Sequence, residues 1–355
     1  MGRIILVVAM LFSITTSAQQ MNKDPRYKQY TGRYGGNSGV CLFDDGKFML
    51  YGYATMVFGS YGFEKDYLVF FPEEQELFQV FAHHNNTLGD STKINFVGFD
   101  RGGKTFVQFD KDTVYRVFNE HANCFNGPFV YMKNAIPQTF RLANALGDLI
   151  WYNREPENSW YYTNDKGYND FILIYNKPRR EYQNFFGSIS TTENITVLKL
   201  SNYGGEGGYP KQKMNKDDKE QWEKAREWKN EYYHSDSIQE NVIFANKHYN
   251  TFLPDSADYT YEKSSNQYIN KQALENEGYF RNNQYDDDRY LRKYVKLLPK
   301  IKDTTGFSKN EITNSSIFFT ACDEGSKKSY HYEGIENSEE ESAVPQTVIG
   351  MSEKK

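Results

Sequence analysis

Apolar and polar positions alternate in short runs along most of this chain, and turn residues punctuate the runs. Val40 to Phe43 is apolar, Asp44-Asp45-Gly46 follows, and Lys47 to Tyr51 is apolar again. An Asp-Gly pair between two such runs predicts a β-hairpin. Further strands are predicted at 54–58, 66–71, 77–82, 93–99, 104–110 and 113–118. Arg101-Gly102-Gly103 and Asp110-Lys111-Asp112 supply tight turns between the last three. Many short strands at this spacing point to an antiparallel β-sandwich or small barrel.

Strand-like runs continue at 129–132, 139–142, 149–152, 170–175 and 195–200. The character changes after Asn202. Gly204-Gly205-Glu206-Gly207-Gly208 is a loop, and 215–233 then carries the one clear helical pattern. Asn215 can cap it, and Asp217 and Asp218 oppose the positive end of its dipole. Trp222, Ala225, Trp228 and Tyr232 recur at helical spacing and define its expected buried stripe. The stretches 240–253 and 286–298 fit helix and strand alike, and 315–321 reads as a late strand closing a sheet begun earlier. The Glu- and Ser-rich stretch 334–355 is too weakly hydrophobic to pack and reads as a tail.

The first eighteen residues follow a different logic. Arg3 precedes an apolar core from Ile4 to Ile14, and Thr16-Ser17-Ala18 offers small residues for cleavage. This is the pattern of a secretory signal peptide, and its apolar core is about half the roughly twenty residues a membrane span needs. The expectation is export to the periplasm, the cell surface or the medium, with a mature chain from Gln19 that has no transmembrane segment.

Composition changes the picture in two ways. Only 38% of residues are hydrophobic, yet there are 29 Tyr and 26 Phe. Each ring can bury about 150–250 Å², so rings rather than Leu and Ala must fill the core. The net charge of −5 comes with no basic stripe, which argues against a nucleic-acid partner. Three cysteines, Cys41, Cys124 and Cys322, allow one disulfide in an oxidising compartment. Cys41 and Cys124 lie in the same β-rich half, so their pairing is the economical expectation; the alternative is three buried thiols.

Candidate chemistry is sparse. His83, His84, His121 and Cys124 could hold a transition metal only if their loops met, and no established spacing links them. No metal and no cofactor is therefore assigned. Asp44, Asp45, Asp110 and Asp112 sit in turns, where Asp serves the local backbone. The stretch 164–170 lacks the spacing and terminal Glu of a calcium loop and reads as a turn. Gly36-Asn37-Ser38-Gly39 misses the nucleophile-elbow pattern because position 40 is Val. The glycines at 204–208 lack the Lys-Ser/Thr ending of a phosphate loop.

Aromatic density is what remains. Tyr51, Tyr53, Phe58, Tyr61 and Phe63 form one cluster and read as core. Trp151, Tyr152, Trp160 and Tyr161 form a second, split by a polar loop and flanked by Asn153, Asn158 and Asn164. A ring stacks on the apolar face of a pyranose while amides bond its hydroxyls, so these four are the candidate ligand-binding residues. The sequence thus describes a mainly β protein: an N-terminal antiparallel domain over 27–133, then a second β-containing region over 134–333 with a helical insertion. The expected function is non-enzymatic binding of a glycan or another cell-surface component. The alternatives are an exported glycan-active hydrolase with unnamed carboxylates, or a structural envelope component.

Overall fold

A computed structural model describes residues 24–335, apart from 101–103, 146–157, 214, 240, 304–306, 308–309 and 323–327. The protein is mainly β and divides into two compact units, each built from two stretches of chain. Among the described residues, the first takes 24–76 and 178–238, the second 77–177 and 239–335. This division runs differently from the 27–133 and 134–333 ranges expected above. The physical reason is a long-range strand pairing, Phe185 with Phe70 and Ser188 with Tyr67, that leaves no local mark in the sequence.

With strands numbered along the whole chain, the first unit contains β1 (Gly32–Gly35), β2 (Gly39–Leu42), β3 (Lys47–Gly52), β4 (Thr55–Glu64) and β5 (Tyr67–Pro72). It is completed by β14 (Phe185–Thr192), β15 (Ile195–Leu200) and β16 (Tyr209–Pro210). They form one antiparallel sheet in that order. Its two ends meet: Tyr34 bridges to Lys211, and the Gln212 N–H donates to the Arg33 carbonyl at 2.8 Å. The sheet is a nearly closed eight-stranded barrel, and near-closure removes the exposed edges that invite aggregation.

Alternation decides what goes inside. Val40, Leu42, Phe48, Leu50, Phe70 and Phe185 point into the barrel. The Phe48 ring lies where Gly59 has no side chain; a Cβ there would come within 2.6 Å of it. Buried tyrosines keep their hydroxyls bonded: Tyr61 donates to the Phe43 carbonyl at 2.8 Å and Tyr34 to the Tyr30 carbonyl at 2.7 Å. The opposite phase of the same strands, Cys41, Met49 and Phe58, is covered by helix Lys216–Gln239. That double burial is why β2 and β3 read as continuous apolar runs.

The helix docks by stacking Trp222 on Phe43 (5.2 Å) and Tyr232 on Phe58 (4.3 Å). Lys229 pairs with Asp45 at 2.6 Å, and the Tyr233 hydroxyl donates to Glu73 at 2.7 Å. Trp222 and Ala225 are buried as expected, but Trp228 is 41% exposed. At 3.6 residues per turn, Trp228 lies about 90° from the centre of the docked face, whose place Lys229 takes.

The second unit is a two-sheet sandwich. One sheet runs β10 (Phe129–Lys133), β7 (Thr92–Val97), β13 (Asp170–Tyr175), β6 (Phe78–His83), β21 (Tyr290–Leu297), β17 (Val242–Ala245) and β18 (Thr251–Phe252). A hairpin of β19 (Tyr259–Glu262) and β20 (Gln267–Asn270) extends from β21. The other sheet runs β22 (Ile301–Asp303), β12 (Asn158–Thr163), β11 (Thr139–Ala145), β8 (Lys104–Phe109), β9 (Val114–Phe118) and β23 (Ile312–Phe318). Phe78, Val80, Phe96, Phe171 and Leu173 of the first sheet meet Val107, Phe109, Phe140, Leu142 and Tyr162 of the second. Both ambiguous stretches resolve as strands, β17–β18 and β21, because each pairs into an existing sheet. The predicted strand at 149–152 lies outside the described residues.

The disulfide corrects the sequence expectation. Cys124 is bonded to Cys322, and Cys41 is a buried free thiol. β23 lies parallel to β9 with Phe318 opposite Phe118, so the segments leaving both strands emerge side by side. Asn119 and Asn123 then bond the backbone of Thr320 and Cys322 and hold the two chains together. Cys41, on β2 of the barrel, belongs to the other unit, and burial pushes its thiol pKa up to about 12. Peptide mapping without reductant is expected to return Cys124 linked to Cys322, with Cys41 alkylated only after unfolding. Cys322→Ser should lower the unfolding free energy of the native protein by about 2–5 kcal/mol.

Candidate functional site

Two arrangements stand out once the units are described, one buried and one exposed. The buried one lies on the outer face of the larger sandwich sheet. Register places Lys93 of β7, Asp170 of β13 and His83 of β6 in one cross-strand row. Tyr294 of β21 continues it, its ring 5.3 Å from that of His83. Asp170, Tyr294, His83 and Arg292 are all buried.

Asp170 is the hub of this row. It accepts from the Tyr249 hydroxyl at 2.8 Å and from Asn85 Nδ2 at 2.8 Å, and Arg292 Nη1 stands 3.7 Å away. Asn169 braces Asn85 from both sides, accepting from its N–H and donating to its carbonyl. Tyr249 reaches Asp170 from the loop between β17 and β18 and adopts a left-handed φ of 65°. A bulky residue in that region costs energy that its surroundings must repay. Here Asn246 over-determines the loop: its Oδ1 accepts from the His248 and Asn250 N–H groups, and its Nδ2 donates to the Tyr285 and Asp287 carbonyls.

The electrostatics follow from burial. Desolvation, then the neighbouring Asp170 charge, raises the Tyr249 pKa well above the ordinary phenol value. Burial lowers Lys93 and His83 from theirs, with Asp170 opposing the shift in both. His83 Nδ1 lies 3.0 Å from the Lys293 carbonyl, which only accepts, so that nitrogen carries the proton and donates. Burial also lowers His248 to about 4, while its Nδ1 faces the Tyr332 hydroxyl at 3.0 Å. A carboxylate with no exposed surface, bonded on both oxygens, holds a loop to a sheet; it offers nothing to an incoming substrate.

Other candidates are placed as follows. Cys124 is a disulfide half, and no group of three or more His, Cys, Asp or Glu that could hold a metal occurs among the described residues. The loop 164–170 is a turn in which Asn164 Oδ1 accepts from the Tyr168 N–H. An apolar gap lined by Ile94, Phe109, Pro137, Phe140, Phe171 and Leu173 is too tight for a water molecule.

Of the four aromatic candidates, the structure describes two. Trp151 and Tyr152 lie outside the described residues. Trp160 is partly buried against the sandwich core, its ring 5.2 Å from Phe78. Tyr161 is its immediate neighbour on β12, so its side chain leaves by the opposite face.

The exposed arrangement was not expected from sequence and lies on the barrel. On β5, Leu68 and Phe70 point inward, so Tyr67, Val69 and Phe71 point outward. Phe186 of β14 sits directly opposite Val69. Tyr67 is 58% exposed, Phe71 47% and Phe186 55%. Their outer-face neighbours are polar: Ser60 beside Phe71, and Glu64 and Ser188 on either side of Tyr67. A signal for this face was present in Tyr67-Leu68-Val69-Phe70-Phe71 and in Phe185-Phe186, where apolar residues occupy both phases of a strand.

No family model, curated protein or solved structure matches this chain. Its class therefore rests on its own architecture: a mainly β protein of a barrel-like unit and a sandwich unit, with three exposed rings on one face of the barrel among the described residues.

The buried row gives a pH dependence. His83 and His248 bind a proton less readily in the folded protein than in the unfolded chain, so acid favours unfolding. The stability they support is whole above the ordinary histidine value of 6.5 and is lost as pH falls towards about 4. Thermal unfolding followed from pH 7.5 to 4 should show the midpoint falling across that window, and His248→Gln should flatten the fall. Asp170→Ala, which strands Arg292 and Lys93, should cost about 3–5 kcal/mol by denaturant titration.

Proposed function

We propose that this is an exported, non-catalytic protein that binds glycan through the outward rings Tyr67, Phe71 and Phe186 of the barrel. The observation that carries the reading is their exposure. In a protein whose largest fully buried side chains are all Tyr or Phe, three rings on one small area of sheet face water together. Leaving apolar rings in water forgoes the burial free energy that the other rings gain. A pyranose face restores part of it, and Ser60, Glu64 and Ser188 offer groups for sugar hydroxyls.

The leader-like segment at residues 1–18 and the Cys124–Cys322 disulfide both support export, since disulfides persist in oxidising compartments. Trp160 and Tyr161, the described members of the sequence-based set, leave β12 by opposite faces and carry less of the proposal. The hydrolase alternative gains no support from Asp170, which is sealed. An envelope component would use the same rings to pack on a partner protein.

Phe71→Ala and Phe186→Ala separate these readings, because exposed rings contribute little to the core. On a polysaccharide array and by calorimetry, each variant should bind a captured glycan about tenfold more weakly, a loss of about 1.4 kcal/mol. Their thermal unfolding should match that of the unaltered protein. Unchanged glycan binding in both variants removes the barrel face from the proposal.

A further inference from the structure

Resting on the glycan reading, the geometry points to a narrower ligand: we infer that the barrel face takes the interior of an extended, uncharged polysaccharide chain lying along β5. Tyr67 and Phe71 stand four residues apart on one strand, which separates them by about 13 Å. Phe186 lies beside the midpoint, opposite Val69. A monosaccharide covers one ring. Only a chain of several sugars reaches all three, and its axis must follow the strand, because the barrel curves away across the strands.

The face is a sheet surface rather than a pit, and among the described residues nothing encloses a chain end. A ligand bound this way is recognised along its length and can continue past Tyr67 on one side and Phe71 on the other. Strand straightness also discriminates by shape: an extended chain tracks the rings, whereas a coiled one leaves the sheet after the first.

Charge sets the second limit. An acidic glycan needs Lys or Arg beside its carboxylates or sulfates. The outer-face charges around the rings balance: Glu64 lies opposite Tyr67, Lys199 opposite Ser188, and Lys47, opposite Ser60, is paired with Glu73 at 3.2 Å. Ser60, Ser188 and Ser201, also beside the outer rings, are neutral hydroxyls suited to sugar hydroxyls.

The test uses the full mature chain and two series of probes. One is neutral: glucose, cellobiose, cellotetraose and cellohexaose, with matched β-1,3-glucan, β-mannan and β-xylan oligomers, and maltohexaose as the coiled control. The other is acidic: oligogalacturonate, alginate and hyaluronate oligomers. At least one neutral extended hexamer should bind ten times more tightly than its dimer, with no measurable monosaccharide binding and weaker binding of maltohexaose. Tyr67→Ala, at one end of the row, should weaken the hexamer at least fivefold and leave the dimer unchanged. Equal affinity for monomer and hexamer, or preference for the acidic series, overturns this inference and leaves the glycan reading standing. A folded protein that binds none of these probes, nor any glycan on the array, removes the glycan reading itself.

Discussion

Everything in this protein depends on where its aromatic rings point. The chain is poor in aliphatic residues, so a strand can bury enough apolar surface only by turning a ring inward. In the barrel, Phe48, Phe70 and Phe185 meet at 4.5–5.7 Å, Phe70 and Phe185 stacked with nearly parallel planes and Phe48 edge-on to both. In the sandwich, Phe96, Phe118, Phe129 and Phe318 do the same from both sheets. Slipping any of these strands by one residue would turn its rings to water, so ring position and strand register are one constraint.

Tyrosine makes that constraint stricter than phenylalanine would. A buried hydroxyl without a partner costs about 1–3 kcal/mol, so most inward Tyr residues also select an acceptor, Tyr294 being an exception. Tyr27 finds the Tyr61 carbonyl, Tyr61 the Phe43 carbonyl, and Tyr162 the Phe78 carbonyl. Tyr249 goes further and bonds the Asp170 carboxylate, which ties the β17–β18 loop to β13 at the expense of a left-handed backbone. Against this background, Tyr67, Phe71 and Phe186 are exposed rings grouped on one face of the barrel.

Local features were legible in the sequence, and their limits are physical. The Asp45-Gly46 hairpin, the strand at 170–175 and the helix from Lys216 each carry their signal within a few neighbouring residues. Long-range partners carry none. The join of β5 to β14, and of β9 to β23, spans more than a hundred residues, so the interleaved units and the Cys124–Cys322 bond could not be read from spacing. Composition showed an excess of rings but not which of them face outward. Tyr67 to Phe71 looks like one buried run until the partner strands show that only Leu68 and Phe70 face the core. Asp170 was hidden by the same effect, since a carboxylate opening an apolar strand looks like a turn residue.

The most direct measurement is a crystal structure of the protein with the tightest-binding neutral hexasaccharide. The account places consecutive sugar rings over Phe71, Phe186 and Tyr67, with the chain axis along β5 and both chain ends free. Sugar bound instead at β12 beside Tyr161, or a barrel face covered by a second protein copy with the sugar elsewhere, would contradict it.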